Sequence, residues 1–312
     1  MRMFSRRRAP LFTGLLVAAL VAAFGVSPAA AGTSTSQASW TCDAFGFDSL
    51  TRLASVSSTA RGGQAREPAL DQLTDNRPQR PFNRLFAVSV PTWVHVVSPD
   101  GVTGNVSQAL IDDQIDVLNN TFEGGEGGFN TGFSFTLAGV TRTTNADWYF
   151  ANPGGKERAM KRALYHSGNN VLNMYLTTAG DYLGWAYLPK IVTQGNNFLD
   201  GVVIDWESLR GASDRYRDRY DQGETATHEV GHWLNLEHTF FRGCNGQGDY
   251  VNDTPYEATP TSGCPAGKDT CPAPGIDPIH NYMDYSYDQC YTEFTAGQAG
   301  RMQDAWDTYR AR

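Results

Sequence analysis

The sequence predicts an α/β domain that ends in an irregular, cysteine-rich region, and three observations carry that reading. Short apolar or alternating runs take turns with helix-spaced segments between residues 85 and 234. From Glu237 to Phe294 the periodicity disappears, and glycine, proline and four of the five cysteines take over. A last helical pattern opens at Thr295, where Gln298 three residues on completes a capping box.

The elements follow in order. Leu85 to Val97 is rich in Val, Phe and Trp and predicts a buried strand. Ser107 to Phe122 places apolar residues at 110, 111, 115, 118 and 122, a helical spacing that Ser107 would cap. Gly124 to Gly128 predicts a turn, and Phe133 to Leu137 alternates as a strand. Lys156 to Tyr165 reads as a short helix, and Val171 to Leu176 as a strand. Gly184 to Leu188 and Val202 to Ile204 read as two more strands, the first a candidate sheet edge for an extended peptide. Glu224 to Leu234 is a helix, and Met302, Ala305, Trp306 and Tyr309 form the apolar face of the last one.

The chain of 312 residues divides into a signal peptide over 1–31, a pro-segment or leader over 32–82 and a catalytic domain over 83–312. Arg2, Arg6, Arg7 and Arg8 precede an apolar run from Leu11 to Phe24, which is short for a membrane span. Ala29-Ala30-Ala31 fits a cleavage site, so the protein is expected to be secreted and extracellular, starting at Gly32. Residues 32–82 are poor in apolar pattern, and Arg77-Pro78-Gln79-Arg80-Pro81 reads as an exposed linker. At 40% hydrophobic and 19% charged residues the chain can bury a core. A net charge of −8, without a basic run past residue 8, gives no reason to expect nucleic acid or membrane as partner. A monomeric state is the expectation.

His228 and His232 are four residues apart, so a helix projects both imidazoles from one face, as two ligands of a zinc ion require. Glu229 lies beside them, where a carboxylate can act as general base toward water. His238 on a continuing helix would stand ~15 Å from His228 along the axis and could not share the ion. The helix must therefore stop before it, and Asn235, tolerant of the left-handed conformation, is the expected stopping place. Three protein ligands leave a position open, as catalysis needs. His95, His166 and His280 are expected to be ordinary hydrogen-bonded histidines.

The stretch from His228 to His238 resembles the long zinc signature of the metzincins, with Asn235 where glycine is usual. Asn281-Tyr282-Met283-Asp284-Tyr285 looks like their Met-turn. With Gly248-Asp249-Tyr250-Val251-Asn252-Asp253-Thr254-Pro255 and Cys290, the match over residues 222–302 resembles the pappalysin family, nearest its secreted bacterial and fungal, cytophagalysin-like branch. The resemblance implies a twisted mixed sheet with an active-site helix above a disulfide-held lower subdomain, and a zinc-dependent endopeptidase. It implies that Met283 floors the metal site and that Tyr285 assists catalysis. It further implies disulfides Cys244–Cys271 and Cys264–Cys290, and a calcium site of Asp249, the Val251 carbonyl, Asp253 and Thr254, whose hard oxygens suit that ion. Some relatives take a basic residue after the scissile bond through an acidic residue just before the last cysteine; here that position is Gln289, with Asp288 one earlier. Cys42, left over, is a candidate latency ligand, since a thiolate can fill the open metal position. A thermolysin-like protease and a non-catalytic secreted zinc-binding module are the alternatives; the His238 spacing argues against the first and Glu229 against the second.

Overall fold

The computed structural model describes residues 67–68, 74–77 and 79–311. All belong to the compact unit Val56–Arg312. The signal segment and Cys42 lie outside the described residues.

Five strands form one sheet: β1 (Val88–Ser98), β2 (Phe133–Thr144), β3 (Leu172–Thr177), β4 (Gly184–Ala186) and β5 (Val202–Asp205). Their order is β2-β1-β3-β5-β4. The first four in that order pair in parallel, and β4 pairs antiparallel to β5, so β4 is an edge strand. All six residues of β3 are buried, as expected where helices cover both faces of a sheet. The helices are α1 (Gln108–Glu123), α2 (Ala146–Tyr149), α3 (Gly155–Leu164), α4 (Glu224–Trp233) and α5 (Ala296–Ala305). The Ser107 hydroxyl caps α1 at Leu110 N, and Thr295 and Gln298 form the capping box of α5. Among the described residues no helix is long and apolar enough to cross a membrane.

The main core lies between the sheet and the helices α1 and α4, where Val94, Val96, Leu118, Phe122, Val230 and Trp233 meet. A second core on Tyr149, Met160, Tyr175, Trp185 and Val203 covers the other face. Within it Glu157 and Lys161 form a fully buried ion pair at 3.1 Å. Trp185 Nε1 donates to Glu157 at 2.8 Å, and Lys161 Nζ donates to the Leu199 carbonyl at 2.9 Å, so both charges keep the partners that burial demands.

The strands and helices expected between residues 85 and 234 are present, with ends shifted by a few residues. Residues 237–294 hold only a short 3-10 turn at Asp288–Cys290 and an isolated bridge between Asn281 and Glu293, and Cys244–Cys271 and Cys264–Cys290 tie this region together. The four-residue α2 was not expected; Asn145 initiates it by accepting from Trp148 N. Within the stretch Arg77–Pro81, Arg80 and Pro81 are exposed as expected, but side chains on either side of it are tied to the domain. Asp75 is buried, and its carboxylate accepts from Arg77 and from the Tyr309 hydroxyl. Arg80 pairs with Asp304 at 3.0 Å. The C-terminal helix supplies the opposite charges that hold this segment, and composition alone does not carry that information.

Candidate metal centre

Every residue of α4 is buried, which fixes both histidines of the helix against the core. The helix ends in a Schellman motif: Asn235 N donates to the His232 carbonyl at 2.8 Å and Leu236 N to the Gly231 carbonyl at 2.9 Å. Asn235 sits at φ 78°, the left-handed conformation expected for it. The turn sends the chain back so that His238 Nε2 lies 3.1 Å from His232 Nε2, and His228 Nε2 lies 3.2 Å from it on the other side. The side-chain Oδ1 of Asn235 is buried without a partner among the described residues. Asn235→Gly should therefore keep the metal and any activity and change stability by no more than about 1 kcal/mol, because it removes an unsatisfied polar atom and relaxes the backbone. Metal analysis and thermal unfolding of the variant check this; loss of bound metal would contradict the turn's backbone-only role.

The tautomers are set from behind. His228 Nδ1 donates to the Tyr282 carbonyl at 2.6 Å and His232 Nδ1 to the Leu236 carbonyl at 2.7 Å. With those protons on Nδ1, the Nε2 atoms present lone pairs toward one another. Converging lone pairs repel unless a cation lies between them, so the donor set fits a metal ion. Met283 is fully buried beneath α4, and a Cβ at Gly231 would collide with its Sδ. Gly231 is thus what lets the helix settle on the Met-turn. Asn281 Oδ1 accepts from Met283 N at 3.0 Å and shapes that turn.

Glu229 is buried, and its Oε2 has no partner among the described residues. It packs against the sheet edge, where a Cβ at Gly184 would come within 2.9 Å of its Oε1. Burial pushes its carboxyl well above the usual range, and the charge of Glu67 facing it adds to this. The Tyr285 ring lies 4.9 Å from that of His238 and 5.7 Å from that of His228. Burial raises its phenol, and the facing charges of Glu67 and Glu229 raise it further.

Glu67 was not singled out in the sequence. Its Oε1 lies 2.7 Å from His228 Nε2, 2.9 Å from His238 Nε2 and 3.4 Å from His232 Nε2. No spacing rule marks it, because it stands 161 residues before His228.

The other expected site residues divide. Thr254 Oγ1 lies 2.8 Å from both carboxylate oxygens of Asp249 and 3.0 Å from the Val251 carbonyl, so these three come together. Asp253 has further partners. Its carboxylate accepts from Thr295 Oγ1 at 2.7 Å and from Gly297 N at 2.8 Å, at the N-terminus of α5, where a negative charge is favoured. Gln289 is exposed, whereas Asp288 is buried beside the pocket next to Glu229 and accepts from Gln222 N at 2.8 Å. His95 bonds Thr141 and Asn173, His280 bonds the Cys290 carbonyl, and His166 stacks on Trp93.

A parallel sheet with one antiparallel edge strand, a buried helix beneath it carrying two convergent histidines, a third from the returning chain and a methionine floor define a metal-dependent peptidase. The family described as Pregnancy-associated plasma protein-A, peptidase M43, matches residues 184–307. An extracellular metalloprotease of Neurospora crassa is 44% identical over 230 residues, covering 72% of this chain and 76% of its own. One from Sordaria macrospora is 46% identical over 231 residues, covering 72% and 77%. Among solved structures, mature mirolysin of Tannerella forsythia in complex with a cleaved peptide superposes with a TM-score of 0.60 at 32% identity, covering 71% of this chain and 92% of that one. A promirolysin variant gives a TM-score of 0.62 at 31% identity, over 72% and 82%. The chain belongs to the peptidase M43 (pappalysin) family of metalloproteases.

Proposed function

We propose that this protein is a secreted, zinc-dependent endopeptidase whose ligands are His228, His232 and His238 and whose general base is Glu229. The observation that carries it is the convergence of three Nε2 atoms beside the unpartnered Glu229 Oε2. The separations of 3.1 and 3.2 Å between nitrogens fit a tetrahedral ion with Zn–N bonds of about 2.0–2.1 Å. Zinc held there supplies Lewis acidity toward the scissile carbonyl and toward water. Glu229 takes the proton of the attacking water and returns it to the leaving amine; a carboxyl raised by burial can hold that proton between the two steps. The Tyr285 hydroxyl, within hydrogen-bonding reach of the carboxylate that now faces the three histidines, would donate to an oxyanion in the same place. Gly184 of β4 packs against Glu229, so this strand borders the place where the scissile bond would lie.

Protein freed of its leader should cleave casein. A chelator should abolish the activity, and one equivalent of zinc should restore it. Activity that persists after complete metal removal would sink the reading.

We also propose calcium at Asp249, the Val251 carbonyl, Asp253 and Thr254. Burial pushes the Asp249 carboxyl up to about 7, while hydrogen bonds from Thr254 and Val251 N pull it down. The carboxyl must lose its proton to bind the ion. Calcium should therefore raise the melting temperature more at pH 8 than at pH 6. A shift that is absent, or equal at both pH values, would count against the site.

A further inference from the structure

The three histidines face a fourth donor. Glu67 Oε1 lies within 3.4 Å of every Nε2 in the site and within 3.0 Å of two of them. In the neutral form that binds a metal, His228 and His232 direct their protons to backbone carbonyls, so an acceptor oxygen here confronts lone pairs, not donors. One carboxyl proton could satisfy only one of these contacts; a shared cation satisfies all of them. Three imidazole nitrogens and one carboxylate oxygen complete a tetrahedral set, and a set filled by four protein ligands has no position left for water or substrate. Tyr285 hydrogen-bonds the same carboxylate and so is engaged as well. Glu67 also lines the pocket that contains Glu229, Leu183 and Tyr220. Pro68 follows directly and restricts Glu67 to extended backbone conformations, which lowers the entropy cost of presenting its side chain.

We propose that Glu67 is the fourth metal ligand of the unprocessed chain and holds the enzyme latent as a carboxylate switch. The proposal rests on the zinc reading above. Removal of residues up to and including Glu67 opens the fourth position and frees the Tyr285 hydroxyl. The strap at Asp75–Arg80, held by Arg301, Asp304 and Tyr309, stays with the domain.

The test uses the full-length chain with Glu229→Ala, which prevents self-cleavage, loaded with zinc. Zinc content and calorimetric binding of acetohydroxamate, a bidentate zinc ligand, are measured for it and for versions that add Glu67→Ala, the isosteric Glu67→Gln, or Cys42→Ala. A tethered competitor acts at an effective concentration in the millimolar range, so either Glu67 substitution should tighten acetohydroxamate binding by at least ~10-fold. Cys42→Ala should leave it weak. Equal binding in all versions at one zinc per chain, or tightening by Cys42→Ala alone, would overturn the proposal by itself. Absence of zinc from every version would overturn it together with the zinc reading.

Discussion

Glu229→Gln should lower kcat/KM for peptide hydrolysis by about 10²–10⁴-fold while zinc content stays the same. Glu229 is not among the groups that converge on the metal position; those are the three histidines and Glu67. Its own Oε2 is buried and unpartnered, an arrangement that costs stability and persists where a reacting group must be approached. The amide keeps the shape beside Gly184, so the pocket should not collapse. It also removes an ionisable group from a site that disfavours its charge, so the melting temperature should hold or rise. Loss of activity with full metal and an unchanged or higher melting temperature assigns the carboxylate to the chemistry. A variant that keeps activity within tenfold of the parent would remove Glu229 from the mechanism.

The largest effect on stability should come from Arg310→Met, about 3–5 kcal/mol in denaturant unfolding. Arg310 is fully buried and makes a bidentate pair with Asp200 at 3.0 and 3.1 Å. Its Nε and Nη2 donate to the Trp233 carbonyl at 3.0 and 2.6 Å, and its guanidinium lies 3.5 Å over the Trp233 ring. That carbonyl ends α4, where the helix dipole is negative and a cation is favoured. Methionine fills part of the volume but leaves the Asp200 charge buried, with only Trp233 Nε1 to face it. Adding Asp200→Asn should restore much of the loss, since neutralising the stranded partner removes the desolvation penalty. If the single substitution costs less than 1 kcal/mol, the pair does not hold the helix end.

Much of this site is legible in the sequence because it is local. Two histidines on one helix face, a third too far along to join them and an asparagine between them require a left-handed stop, and Asn235 adopts it. Periodicity marked the strands for the same reason. What was not legible is carried by contacts across long stretches of chain. Glu67, Arg301 and Arg310 reach the histidines, the turn at Asn235 and the end of α4 from distant positions and follow no spacing rule. The disulfides Cys244–Cys271 and Cys264–Cys290 came from the resemblance, because spacing leaves three pairings open. Asp253 was assigned to a calcium loop by the resemblance, and its contact with the N-terminus of α5 is a long-range feature that the local sequence does not show.

The grip of Arg310 on the Trp233 carbonyl spans 77 residues. During synthesis the helix that carries His228 and His232 therefore leaves the ribosome well before the residue that fastens its end. A nascent chain can form the sheet early, but the end of α4 is fastened only after Arg310 has followed it, so this contact belongs to the late, long-range part of folding.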